Sequence, residues 1–90
     1  MDPIYGRLQP EAALHTQQLS RLVYEARENR RRVLEAAGAA DEEALLRRIA
    51  AGDVAEHPAY EHYLAARILA DTHQAAREAL NGLLQEANRR

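Results

Sequence analysis

The stretch that decides the fold is PEAALHTQQLSRLVYEARENRRRVLEAA, residues 10–37. After Pro10 it contains neither proline nor glycine, so nothing in it interrupts a helix. A proline suits the first helical position because its missing N–H is one that a helix leaves unpaired there, and Gly38 suits the left-handed residue after a helix end. We therefore predict one helix over residues 10–37, about 42 Å long.

One face of this first helix carries small and apolar side chains at alternating spacings of three and four. Such a stripe is typical of a helix packed lengthwise against another helix. The stripe consists of Ala12, His15, Leu19, Leu22, Val23, Ala26, Arg30, Val33 and Ala37. A charge on this face needs a partner or a path to water. We therefore expect Arg30 either to pair with Asp71, across the hairpin or a dimer seam, or to extend into solvent.

Two more helices are predicted beyond Gly38. Asp41 is a favourable N-cap, and the acids after it suit a helix start, so we predict a short helix over residues 41–51. Pro58 then opens a long helix over residues 58–87.

Two further predictions concern the ends of the chain. Asn81-Gly82 is a turn dipeptide, but the apolar period continues after it, so we expect the third helix to run through Gly82. Residues 1–9 contain a proline and a glycine and show no periodicity, which predicts an irregular arm before a single all-helical domain, residues 10–90.

The third helix has apolar side chains over an unusually wide arc. One face carries Tyr60, Leu64, Ile68, Ala75 and Ala79, and the other carries Ala66, Leu69, Ala76, Leu80, Leu83 and Ala87. Together they span about 200°, roughly twice what one neighbouring helix covers. We therefore expect a second neighbour from another copy of the chain. The oligomer interface is predicted at Leu69, Ala76, Leu80 and Leu83.

The lengths of the helices predict the overall shape. A compact chain of this size has a radius of gyration of about 12 Å, hence a diameter well below the length of either long helix. The predicted fold is all-α: an elongated antiparallel hairpin of two long helices with a short connecting helix. The simplest assembly that covers the wide apolar arc is a dimeric helical bundle.

Composition limits the classes of function. The chain has 90 residues, a net charge of −2 and no cysteine, which excludes disulfides, thiolate metal sites and cysteine nucleophiles. Of its 42 apolar residues 19 are alanine, so a single chain has little area to bury. All twelve basic residues are arginine, which, with the many alanines, fits a GC-rich bacterial coding sequence. No signal peptide or membrane-spanning run is visible, so a cytoplasmic location is expected.

The residue types that carry catalysis are sparse. Serine and threonine total three, and the four glycines are scattered singly, so neither a nucleophile with a partnering base nor a phosphate loop is indicated. His57, Glu61 and His62 are the best candidates for a metal or small-molecule site, but one helix supplies too few converging ligands. We expect neither an enzyme nor a cofactor.

A cluster of arginines ends the first helix, at Arg27, Arg30, Arg31 and Arg32. These side chains would suit phosphates, and a small dimeric regulator that binds nucleic acid is an alternative function. Glutamates interleave with the arginines at helix-pair spacings, however, which favours an ion-paired, solvated face. We therefore expect no nucleic-acid partner.

The middle of the chain is acidic. Residues 41–62 hold six acids against two arginines. The segment also has aromatic side chains, which are enriched in interfaces. We predict a protein-binding surface at Glu56, His57, Tyr60, Glu61 and Tyr63, with a plain helical cap at the bundle end as the alternative. The stretch YEHYLAAR, residues 60–67, resembles the YlbF-type helical regulatory proteins, but this short likeness implies no function here. The predicted function is a small non-enzymatic helical adaptor that oligomerises and acts through protein–protein contacts.

Overall fold

The computed structural model describes residues 9–89 and confirms the predicted all-α hairpin. Helix α1 spans Pro10–Ala37, the short helix α2 spans Glu42–Ala50, and helix α3 spans Glu56–Arg89. Helices α1 and α3 pack against each other along their lengths, while α2 lies mainly against α3. Of the predicted irregular arm, only Gln9 lies within the described residues.

The first helix begins and ends through local chemistry. Gln9 is extended and Pro10 follows it at the first helical position. At the other end Gly38 is left-handed, with φ 66°. This conformation brings the N–H of Gly38 to the carbonyl of Glu35 and the N–H of Ala39 to the carbonyl of Leu34, each at 3.0 Å. These bonds satisfy carbonyls that a helix end otherwise leaves unpaired.

The short helix α2 closes one end of the hairpin. The carboxylate of Asp41 accepts a hydrogen bond of 2.7 Å from the N–H of Ala44, as an N-cap does. Leu45, one turn into the helix, is completely buried. The cap and the buried leucine together hold this short helix on the hairpin, because nine residues would not form a stable helix alone.

Helix α3 is long and continuous after its first residues. His57 has a non-helical backbone, with φ −110° and ψ 130°, and the regular helix starts at Pro58. The helix runs on through Gly82, as the apolar period predicts.

The core is a narrow seam of small side chains. Within residues 9–89 the buried apolar side chains are Ala26, Leu34, Leu45, Ala59, Ala66, Ala76 and Ala87. Alanine side chains let two helices approach closely, but each buries little area. The hairpin is therefore held by close contact along its length rather than by a thick core.

The molecule is long and thin. Its principal extents are 55 × 18 × 16 Å and its radius of gyration is 17.5 Å, against about 12 Å for a compact chain. Its accessible surface is 6303 Å², and a compact protein of 10.1 kDa exposes about 5,300 Å². One chain thus leaves about 1,000 Å² more surface in water than a compact fold would.

Candidate functional site

The two apolar faces of α3 have different surroundings. The face on which Ala66, Ala76 and Ala87 are buried is the one that packs inside the chain. Leu69, Leu80 and Leu83 are half-buried along it. Of the predicted oligomer interface, Ala76 retains only 4% of its surface, so it has almost nothing to offer a second chain. The residues predicted as an interface between copies therefore lie on the contact between α3 and the rest of its own chain.

The other face of α3 is open to solvent. Tyr60 is 39% exposed, Leu64 42% and Ile68 65%. These three side chains, which we call the outer stripe, follow each other at intervals of one helical turn. Ala75 and Ala79 extend the same side and are also exposed. The outer stripe is the one row of large exposed apolar side chains on α3 within residues 56–89.

Charged and polar side chains flank the outer stripe on both sides. His57 Nδ1 lies 2.5 Å from Glu61 Oε1, and this hydrogen bond lowers the pKa of Glu61 below its ordinary value. Arg67 donates a 3.1 Å hydrogen bond to the hydroxyl of Tyr63 and places its guanidinium 6.0 Å from the centre of that ring. Asp71 is exposed one turn beyond Arg67. An apolar centre with a polar rim is the usual anatomy of a protein interface.

The predicted partner-binding residues gather at the start of α3. Glu56, His57, Tyr60 and Glu61 are exposed, and Tyr63 is half-buried. The rings of Tyr60 and Tyr63 stack with their centres 6.2 Å apart and their planes at 25°. This stack joins Tyr63 to Tyr60, which is itself part of the outer stripe, so most of the predicted surface and the stripe are one continuous patch.

Arg30 pairs with a residue other than the predicted Asp71. Its Nε and Nη2 donate to the two carboxylate oxygens of Glu42, at 2.7 and 2.6 Å. The side chain of Glu42 is 10% exposed, and the hydrogen bonds from Arg30 lower its pKa. The prediction was wrong because α2 folds back against the hairpin and brings its first turn to Arg30. This bidentate pair ties α2 to α1.

The rest of the arginine cluster is largely neutralised by nearby glutamates. Arg31 bonds to Glu28 at 2.9 Å and to Glu35 at 2.6 Å. Hydrogen bonds from Arg31 lower the pKa of Glu28, and the charge of the exposed Arg32 adds to this effect. Arg27, Arg30 and Arg31 line an open groove of about 270 Å³ with apolar side chains between them. A phosphate bound there by Arg30 and Arg31 would have to displace their glutamate partners, whereas the guanidinium of Arg27 lies 5.7 Å from the centre of the Tyr24 ring.

The candidate metal ligands do not converge. In the part of the chain that the structure describes, no group of three or more His, Asp or Glu side chains is placed to hold a metal ion. His57 and Glu61 contact each other, while His62 lines a separate small groove of about 180 Å³ between the end of α1 and the segment before α3. The described helices also contain none long and apolar enough to cross a membrane.

One buried polar residue was not singled out from the sequence. Thr16 is completely buried, and its hydroxyl has no hydrogen-bond partner among the described residues. The apolar stripe predicted for α1 passes through its neighbours His15 and Leu19. His15 and Leu22 of that stripe are exposed instead, so the buried face lies slightly to one side of the predicted one. Thr16 could have been identified from the sequence, because it lies at helical spacing from the buried Ala26 and Leu34.

A family model described as the uncharacterized protein MJ0235 family matches residues 12–89. The chain belongs to this family. The match covers nearly all of α1, α2 and α3. No curated protein and no solved structure matches the chain, and the short likeness to YlbF-type proteins has no counterpart in these comparisons.

Proposed function

We propose that this protein is a non-enzymatic helical adaptor that self-associates and acts through protein–protein contacts, in the bacterial cytoplasm. The observation that supports this proposal most strongly is the outer stripe. Tyr60, Leu64 and Ile68 expose large apolar surface in a row, and exposed apolar rows with polar rims mark interaction sites. The acids of the predicted partner surface form part of that rim.

The energetics favour a covered stripe. Complete burial of a leucine or isoleucine side chain is worth about 1.5–3 kcal/mol relative to exposure. Leu64 and Ile68 are 42% and 65% exposed, so about half of this gain remains for each, and Tyr60 adds a partly exposed ring. In a small domain, whose total stability is about 5–15 kcal/mol, this is a sizeable contribution. Because its own core is mainly alanine, this chain would gain more stability from a partner that covers the outer stripe than a chain with a larger core would.

Nucleic-acid binding has weaker support than protein binding. Two of the four arginines of the cluster, Arg30 and Arg31, are ion-paired with Glu28, Glu35 and Glu42. The net charge of −2 also gives no long-range attraction to a polyanion. The outer stripe on α3, by contrast, can be covered without breaking any of these ion pairs.

Site-specific photo-crosslinking tests the proposed function. A photoreactive residue replaces Ile68 in the protein expressed in its host cells, and the matched control carries it at Leu14, which is 56% exposed on α1. We expect covalent protein adducts at position 68, with a second copy or with another protein, and few at position 14. Absence of protein adducts at position 68, or equal labelling at both positions, would contradict the proposal.

A further inference from the structure

The residues around Leu64 are arranged symmetrically along α3. Tyr60 and Ile68 lie four residues before and after it, and Glu61 and Arg67 lie three before and after. His57 and Asp71 lie seven before and after. Each of these six side chains is exposed. The apolar pair, the acid–base pair and the histidine–carboxylate pair thus share one centre.

This symmetry has a consequence for two copies packed antiparallel. In a pair with its two-fold axis beside Leu64, residue levels that are equally far from the centre coincide. Leu64 then meets Leu64, and Tyr60 comes level with Ile68 of the other copy. A two-fold interface uses the same patch on both chains, so each such match occurs twice.

The polar side chains fit the same register. Asp71 of one copy comes level with His57 of the other near the centre line, while Glu61 and Arg67, about 60° to opposite sides of Leu64, lie on opposite edges of the interface. Arg67 also comes beside the face of Tyr60, in reach of a cation–π contact. A parallel pair would instead place Asp71 beside Asp71 near the centre line, where like charges repel.

The amount of free surface also fits a second copy. A specific interface of standard size buries about 800 Å² per partner. A single chain exposes 6303 Å², about 1,000 Å² more than a compact protein of this mass. The elongated hairpin therefore exposes extra surface of about the area that one dimer interface would bury.

We infer that the outer stripe binds the outer stripe of a second copy, with the two α3 helices antiparallel and the two-fold axis beside Leu64. This inference rests on the proposed function, since it names the occupant of the same stripe. It replaces the interface predicted at Leu69, Ala76, Leu80 and Leu83 with one on the opposite side of the helix.

Disulfide trapping reads the register directly, because the chain has no cysteine of its own. Leu64→Cys should form a covalent dimer under mild oxidation, since the two positions 64 face each other at the axis. Ile68→Cys alone should not, because its two copies lie about 12 Å apart along the helices and a disulfide needs Cα atoms within about 7 Å. A mixture of Tyr60→Cys and Ile68→Cys chains should form the mixed dimer.

Substitutions at Arg67 test its contact with the other copy independently. Arg67→Glu replaces the cation beside Tyr60 of the other copy with an acid in both halves of the dimer and should raise the dissociation constant about tenfold. Arg67→Lys keeps a cation beside that ring and should retain most of the affinity. Circular dichroism of each variant confirms that the helices remain intact.

The outcomes separate this inference from the proposed function. Covalent dimers from Leu64→Cys and from the mixed chains, with none from Ile68→Cys alone, support the antiparallel register. Equal trapping of Leu64→Cys and Ile68→Cys, or a monomer at every concentration, overturns it. If photo-crosslinking at position 68 then still yields another protein, the proposed function stands while the pairing with a second copy is rejected.

Discussion

The most unusual single residue is the buried Thr16, whose hydroxyl has no partner within residues 9–89. A buried polar group without a hydrogen bond costs about 1–3 kcal/mol. Thr16→Val keeps the branched shape and the helix preference while removing that hydroxyl. We expect it to raise the free energy of unfolding by about 1 kcal/mol, measured by urea denaturation.

A second substitution at the same position serves as the control. Thr16→Ser keeps the hydroxyl and removes the methyl group, so it should lower the stability by about 1 kcal/mol. If Thr16→Val instead destabilises the protein, the hydroxyl has a partner in the folded chain and our description of the site is incorrect.

The pair of Arg30 and Glu42 should make the stability depend on pH. The hydrogen bonds from Arg30 lower the pKa of Glu42 in the folded state below its value in the unfolded chain. The unfolded state therefore binds the proton first as the pH falls. The stabilisation is fully present above the unfolded pKa of Glu42 and is lost progressively as the pH falls through the lowered folded pKa.

Glu42→Gln tests this contribution. The substitution removes the carboxylate and leaves Arg30 without its charge partner, so we expect a loss of about 1–3 kcal/mol at neutral pH. Below the folded pKa of Glu42 the two proteins should approach the same stability. Glu43→Gln, at an exposed position in the same first turn, should change the stability by less than about 1 kcal/mol at either pH. Equal losses for the two variants would show that helix-dipole effects, and not the Arg30 pair, explain the result.

At the scale of elements, the sequence predicts where the helices begin and end, whereas it does not predict the partner of a single residue such as Arg30. Proline and glycine mark the ends of α1, and the N-cap Asp41 marks the start of α2, because these residues act on the backbone beside them. Which face of α3 packs inward depends on which side chains let α1 and α3 approach each other most closely. Alanine allows close approach, so the alanine-rich face turned inward and left Leu64 and Ile68 outside.

The continuity of α3 gives a prediction of its own. Gly82 lies inside a helix, and a methyl group added there meets nothing within 4 Å. Gly82→Ala should therefore raise the stability by about 1 kcal/mol, or the melting temperature by about 4–8 °C. Gly38→Ala is the contrasting variant, because φ is 66° there and a side chain is strained. A lower melting temperature for Gly82→Ala would mean that the helix is interrupted at this point.

At the scale of the whole molecule, the hairpin was predictable because helix lengths exceed the diameter of a compact chain. The position of α2 was less so, since its contact with Arg30 depends on how residues 38–41 turn. The candidate site was predicted in part: Tyr60 and its neighbours belong to the exposed patch, whereas Leu64 and Ile68 lie on the apolar face of α3 that was not chosen as the oligomer interface. The position of α2 and the choice of the exposed face of α3 both depend on packing between distant parts of the chain, which periodicity alone does not determine.

The central claim is that the outer stripe is covered by a second copy, and sedimentation equilibrium tests it most directly. For the wild-type chain the mass should rise with concentration from 10.1 kDa toward twice that value. Ile68→Ser, which removes the most exposed side chain of the stripe, should remain near 10.1 kDa with unchanged helix content, while Leu14→Ser should behave as wild type. A wild-type protein that remains at 10.1 kDa throughout, or an Ile68→Ser variant that dimerises as strongly as wild type, would contradict the account.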